Sequence, residues 1–279
     1  MKYCLSVILM FLLLTGVSYC QYSDKWRAGS ALTLNGRIYV LTVFISESEW
    51  DYNEKKALYD RLYEAEGWLA EQAGHYGKTL VFEGGEYGLN STVIMDHIAE
   101  GRASGNEPVD LVSIVLRRVG YSSNARFVEW VRGNTGCDNF LVLIFADKAG
   151  TGYSMACSSE MDMEKYFLEG CILYKNYSNN RPLAAASIAH EILHLFGAWD
   201  LYATFSQTKD REEKARQLFP NDVMLRVSYN IRELNIGPLT AWLTGLSDRK
   251  EDWFEWFRPR SRDEQAVRGS LCLPCALKK

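Results

Sequence analysis

The sequence of 279 residues predicts an α+β domain, and three observations predict it. Two short, dense apolar runs, 37–46 and 140–145, read as buried strands, and two stretches, 58–69 and 181–195, carry the three-to-four-residue apolar spacing of helices. No Pro/Gly/Ser linker or internal repeat divides the chain after residue 20. A mature chain of roughly 260 residues can bury a full core of its own, so one domain is expected over 21–279.

Residues 1–20 lie outside that domain. Lys2 supplies a positive start, 5–14 an apolar run and 15–20 a short polar end, which together read as a secretory signal too short to span a bilayer. Cleavage after Cys20 leaves Gln21 as the new amino terminus, and the chain is expected to be secreted or periplasmic. Lipidation of Cys20 is the rival, against which Tyr19 speaks as a poor neighbour for a lipobox cysteine.

The first strand, 37–46, is followed by a helix that Asn53 can cap, in which Leu58, Leu62, Ala65 and Leu69 share a face before Gly74 and Gly77 end it. Residues 79–82 give a second strand, with Gly84, Gly85 and Gly88 as a turn. The pattern of 92–98 is ambiguous, 109–118 reads as a strand, and 125–132 as a helix carrying Trp130. Strand 140–145 is the least ambiguous. Residues 150–157, containing Gly152, Tyr153, Ser154, Met155 and Ala156, are only half apolar, as an edge strand would be. Residues 171–174 make a last strand, and Asn180 and Pro182 a cap and first turn for a helix over 181–195. Helices at 206–216 and 237–246, a turn at 219–224 with Met224 at its tip, and an amphipathic helix in the tail 248–262 complete the chain.

The formal net charge is −4, with no basic block and no second long apolar stretch, so neither nucleic acid nor a membrane span is expected. Beyond the signal the cysteines are Cys137, Cys157, Cys171, Cys272 and Cys275. In an exported chain they are disulfide candidates, with one left over. Cys272-Leu-Pro-Cys275 has redox spacing but no following helix to depress a thiol pKa.

The chemistry concentrates in the last strong helix. His190 and His194 are one turn apart with Glu191 directly after the first, so two imidazoles can converge on one ion while Glu191 reaches its water without ligating. Ile188, Ile192 and Leu195 fall on the opposite face. A catalytic zinc takes three protein ligands and keeps a position open. Gly197 can adopt the left-handed conformation that ends a helix, and three residues later Asp200 offers the third ligand. His75 and His97 are far in sequence and need no metal to explain them.

His190-Glu191-x-x-His194-x-x-Gly197-x-x-Asp200, with Met224 downstream, resembles the metzincin clan of zinc endopeptidases, in the minority version with an aspartate as third ligand, as in snapalysin-like enzymes. The motif covers about 140–245, and the order of elements about 37–246. The resemblance implies a twisted mixed sheet of about five strands and a long zinc helix. It also implies a substrate peptide bound along the edge strand at 151–157, and Met224 in a turn beneath the metal as a non-ligating base. Where some members of the clan place a tyrosine two residues after the methionine, this chain has Arg226; Tyr229 lies five after.

The expected activity is hydrolysis of peptide bonds in peptides or proteins by a zinc-activated water, with Glu191 as general base. Two alternatives use the same residues: an exported binding or surface protein with a non-catalytic zinc, and a zinc amidase acting on a non-peptide amide. Structural zinc sites are commonly closed and cysteine-rich, which favours catalysis for a His, His, Asp set with a neighbouring Glu.

Overall fold

The pleated core begins where β-branched and aromatic residues are densest. A computed structural model describes residues 27–258 and 270–271, apart from 86, 100, 103–105, 160, 205–206 and 227. Its elements are β1 (Gly36–Ser46), α1 (Tyr52–His75), β2 (Leu80–Glu83), β3 (Val93–Ile94), β4 (Gly101–Arg102), α2 (Glu107–Arg118), α3 (Asn124–Asn134), β5 (Asn139–Thr151), β6 (Tyr153–Met155), α4 (Met163–Tyr166), β7 (Gly170–Asn176), α5 (Ala185–Leu195), α6 (Lys209–Leu218), α7 (Pro238–Leu243) and β8 (Ser270–Leu271).

The sheet is mixed. Its strands run β2-β1-β5-β7-β6-β8, with β3 and β4 attached to β1 and β5. β1 pairs in parallel with β2 and β5, β5 in parallel with β7, and β6 turns back antiparallel to β7, setting Ser154 opposite Cys171. Helices cover both faces, which is why the central strands read as continuous apolar runs and not as alternating ones. On one face Ile38, Val40, Phe44, Leu141, Leu143 and Phe145 meet Leu58, Leu62, Trp68 and Leu69 of α1 and Ile188, Ile192 and Leu193 of α5. On the other, Leu41, Val43, Ile45, Val142 and Ile144 meet Val109, Val112 and Val115 of α2 and Phe127 and Val131 of α3.

Several expectations are corrected. Residues 109–118 are helical, because Val109, Val112, Val115 and Leu116 return to one buried face and Pro108 stands in the first turn. Asp51, not Asn53, caps α1, accepting the N–H groups of Asn53 and Glu54. The helix carrying the histidines starts at Ala185, since Asn180 takes a left-handed turn and Pro182 bridges back to Asn176. Asp252–Phe257 forms a 3₁₀ turn that buries Phe254 and Phe257 and leaves Trp253 and Trp256 exposed. The edge expected at 151–157 is shorter and not free along its length: Thr151 belongs to β5, and β8 pairs with Tyr153 and Ser154.

No disulfide forms among the described residues; Cys137, Cys157 and Cys171 are buried free thiols. Cys137 and Cys171 belong to opposite faces of the sheet, and the Cys157 Sγ packs 3.6 Å from the Met163 Sδ, so none faces another. The expected signal, Cys20, Cys272 and Cys275 lie outside the described residues. No helix among the described residues is long and apolar enough to cross a membrane.

Candidate metal centre

α5 is buried on every side, an apolar helix in which His190, Glu191 and His194 are the ionisable exceptions. Its end is a Schellman turn. The Gly197 N–H donates to the His194 carbonyl at 2.9 Å and the Ala198 N–H to the Leu193 carbonyl at 3.0 Å, with Gly197 at φ 90°. That reversal carries the chain back along the last turn of the helix and brings Asp200 to the histidines.

His190, His194 and Asp200 are the group of potential ligands that the described residues bring together. The Nε2 atoms of the two histidines are 3.0 Å apart, and the Asp200 Oδ1 is 3.2 Å from each. A tetrahedral zinc with bonds of 2.0–2.1 Å would separate its ligands by about 3.3 Å, close to the triangle these atoms already make. All three residues are buried, Asp200 the most exposed at 5 %.

The outer nitrogens show why a cation fits. His190 Nδ1 donates to the Val223 carbonyl at 3.0 Å and His194 Nδ1 to the Ala198 carbonyl at 2.9 Å. A carbonyl oxygen can only accept, so both protons sit on Nδ1 and both Nε2 atoms present lone pairs inward. Asp200 Oδ1, 3.2 Å from both and aimed at neither with hydrogen-bond geometry, adds a third lone pair. Three buried acceptors facing one another repel unless a proton or a metal ion stands between them. The ionisation of the group without an ion says the same. Burial lowers the His190 pKa, but the Asp200 carboxylate beside it more than offsets this and holds it above its ordinary value. Burial would raise Asp200, yet the two histidines hold it well below the usual carboxylate range.

Glu191 stands beside the triad and outside it. The Ser154 hydroxyl lies 2.5 Å from its Oε2 and 2.9 Å from its backbone carbonyl, tying α5 to β6. Its Oε1 is buried without a hydrogen-bond partner, and burial raises the carboxyl above its ordinary value. A Cβ on Gly152 would stand 3.1 Å from that Oε1, so the glycine leaves the space in front of it open. Of the five residues read as an edge strand, Gly152 and Ser154 thus touch Glu191.

Met224 is fully buried in the turn that closes the site from the other side. Its carbonyl accepts the Leu201 N–H at 2.9 Å, which fixes the residue after Asp200, while the neighbouring Val223 carbonyl fixes His190. The turn is itself held by a residue to which no role was assigned from sequence. The Asp222 carboxylate accepts the Met224 N–H at 2.8 Å, the Gly237 N–H at 2.8 Å and the Thr240 hydroxyl at 2.9 Å. Burial outweighs these donors and raises its pKa to about 6. The only sequence signal for it was an aspartate before an apolar turn, which is common.

The remaining candidates lie elsewhere. His75 is exposed at the end of α1, and His97 is exposed, 3.5 Å from Glu47. Tyr229 is 43 % exposed and packs on Tyr177 and Arg181, while Arg226 bonds Asn221 and Glu233. The aromatic ring beside the triad is Tyr202, stacked at 6.1 Å on His190.

Gly197→Val tests the turn: a β-branched residue cannot hold φ 90° without strain of at least about 1–2 kcal/mol, and Asp200 shifts as the backbone relaxes. The expected result is a zinc affinity at least tenfold weaker in competition with a chromophoric chelator; an unchanged affinity would show that the turn does not place the ligand. No protein-family model matches the chain, and no curated protein matches it. What the chain does has therefore to be read from the geometry of these side chains.

Proposed function

We propose that the chain is a zinc-dependent endopeptidase of metzincin type, with His190, His194 and Asp200 as ligands and Glu191 as general base. The observation that carries the proposal is the inward convergence of three lone pairs whose outer protons are committed to the Val223 and Ala198 carbonyls. Two imidazoles and a carboxylate suit zinc, and a three-ligand set leaves a fourth position for chemistry. Bound there, zinc would polarise a carbonyl oxygen and acidify water toward a pKa of about 7.

The chain's own residues supply the rest. Ser154 holds one oxygen of Glu191, leaving Oε1 to accept a proton from the attacking water and return it to the leaving amine. Gly152, lacking a side chain, lets a reacting group approach that oxygen. His190 and His194, locked in the Nδ1–H tautomer, keep their Nε2 atoms available for the ion. Met224 serves as the apolar floor of the site, and because β7 and β8 flank β6 on both sides, an extended peptide would reach the site without adding a strand at Tyr153 and Ser154. The signal-like amino terminus supports an exported location for this activity.

One alternative draws on a specific observation: His190, Glu191, His194 and Asp200 are all at most 5 % exposed, as a closed structural zinc site would be. Asp200→Ala separates ligand assignment from activity. Zinc content, measured by metal analysis after dialysis, is expected to fall from one per chain to a small fraction, while His75→Ala and His97→Ala keep it. Full zinc in Asp200→Ala would move the third ligand elsewhere. A zinc-loaded wild type that cleaves no member of a diverse peptide mixture would leave the structural reading standing.

A further inference from the structure

The peptide group between Val223 and Met224 lies between a buried carboxylate and a candidate ligand. Its carbonyl accepts the His190 Nδ1–H at 3.0 Å, and its N–H donates to the Asp222 Oδ1 at 2.8 Å. In a trans peptide these two groups point in opposite directions, so the imidazole and the carboxylate stand on opposite sides of one plane. Asp222, Val223, Met224 and His190 are all fully buried. The plane is held at both ends. The Val223 N–H donates to the Asn235 carbonyl at 3.0 Å, and the Leu225 N–H to the Asp222 carbonyl at 3.0 Å.

We propose that Asp222 acts on His190 through this single peptide group, as a positioning residue that fixes the Nδ1–H and makes Nε2 a stronger metal ligand. The inference rests on the reading of His190 as a zinc ligand. Resonance links the N–H and C=O of a peptide, so a negative charge at the N–H end drives electron density onto the oxygen. Hydrogen bonds in a chain polarise one another, and the dry interior strengthens each of them. A stronger acceptor at Nδ1–H makes the imidazole more basic at Nε2, the atom that faces His194 and Asp200. A carboxylate bonded directly to a ligating histidine works in this way. Here a peptide stands between the two.

The sharing of donors supports a role beyond fastening the turn. Oδ2 takes the Gly237 N–H at 2.8 Å and the Thr240 hydroxyl at 2.9 Å, while Oδ1 takes the Met224 N–H. A turn can be tied by a neutral acceptor, whereas an ionised carboxylate is costly to bury. Burial raises the Asp222 pKa to about 6, against the pull of its three donors and of His190, so at about pH 8.5 the group is ionised. His194 stands outside this relay, because its Nδ1–H goes to the Ala198 carbonyl at its own helix end.

The test follows the two Nδ1 protons by NMR at that pH in the full chain carrying isotope-labelled histidine, with and without zinc. His194 is the control within the same molecule. Asp222→Asn keeps the shape of the side chain and, whichever way its amide turns, removes the anionic partner of the Met224 N–H. The expected result is an upfield move of the His190 Nδ1 proton with that of His194 unmoved. Zinc affinity in chelator competition should fall about three- to tenfold, against roughly 10–100-fold for a partner bonded directly. Thr240→Val takes a donor from Oδ2 and leaves more of the charge on Oδ1, so it should move the His190 proton downfield; it carries the test alone if Asp222→Asn does not fold. An unmoved His190 proton in Asp222→Asn, or an upfield move in Thr240→Val, overturns the proposal. So does a joint shift of both histidine protons, the mark of a general loosening. Because the shifts are also read without metal, a wild type that holds no zinc would remove the zinc reading while the shifts still decide whether Asp222 acts on His190.

Discussion

Glu191→Gln is expected to keep zinc at the wild-type level and to lower kcat/KM for peptide cleavage by about 10²–10⁴-fold, the usual contribution of a positioned general base. The substitution is nearly isosteric. Glutamine can keep an oxygen within reach of Ser154 Oγ, now 2.5 Å from Oε2, so the tie between α5 and β6 survives. What is lost is the second, partnerless oxygen, replaced by an amide nitrogen that cannot accept a proton. Because Glu191 lies outside the triangle of Nε2 and Oδ1 atoms, metal analysis should find one zinc in both proteins. A variant that cleaves as fast as wild type would remove Glu191 from the chemistry; one that loses zinc would make it a ligand.

Asp222→Ala is expected to cost about 3–5 kcal/mol, because it strands three donors that are each worth about 1–3 kcal/mol when buried and unpaired. The donors are the Met224 N–H, the Gly237 N–H and the Thr240 hydroxyl, and the site is fully buried. At about 2–4 °C per kcal/mol for a domain of this size, the melting temperature should fall by roughly 6–20 °C. Thr240→Val, which removes one donor and strands none, should fall by far less. The pH dependence carries a sign. Asp222 has its folded value raised from 3.8 to about 6, so its contribution is complete below pH 4 and is lost as pH rises through 6. The gap in stability between wild type and Asp222→Ala should therefore narrow over that interval in metal-free protein. A gap that widens would mean that the three donors keep the carboxylate ionised.

The sequence made the centre of the molecule legible and its periphery much less so. β1 and β5 were readable because strands covered on both faces are apolar at every position, a pattern that survives without neighbours. The group of potential ligands was readable because helical spacing and the glycine turn are local: His190, His194 and Asp200, with Gly197 at the turn, are fixed by eleven consecutive residues. Residues 109–118 misled for the same reason that β1 did not. With Val109, Leu111, Val112, Ile114, Val115 and Leu116 so close together, composition outweighs period, and only the packing of one face on the sheet separates helix from strand. Asp222 was illegible as a site residue, and Ser154, read only as part of an edge strand, was illegible as the partner of Glu191, because each works at long range: the Thr240 donor is eighteen residues from Asp222, and Glu191 is thirty-seven from Ser154. Among the described residues the disulfide expectation is not met for Cys137, Cys157 and Cys171, because it rested on an exported compartment, which makes bridges available without requiring them.

The two histidines are anchored unequally, and that sets an order of events. His194 is held by Ala198 in its own helix end, whereas His190 depends on Val223, thirty-three residues along the chain. Thermal opening of the segment around Val223 would leave His194 and Asp200 paired as a two-point foothold while His190 loses its tautomer control. For an ion held by the triad, escape would begin at that corner, and the rate of chelation would report on fluctuations in the carboxyl-terminal third. In the reverse direction, an ion captured first by His194 and Asp200 would recruit His190 last, and loading would then fasten the turn at Val223 to the helix thirty-three residues before it.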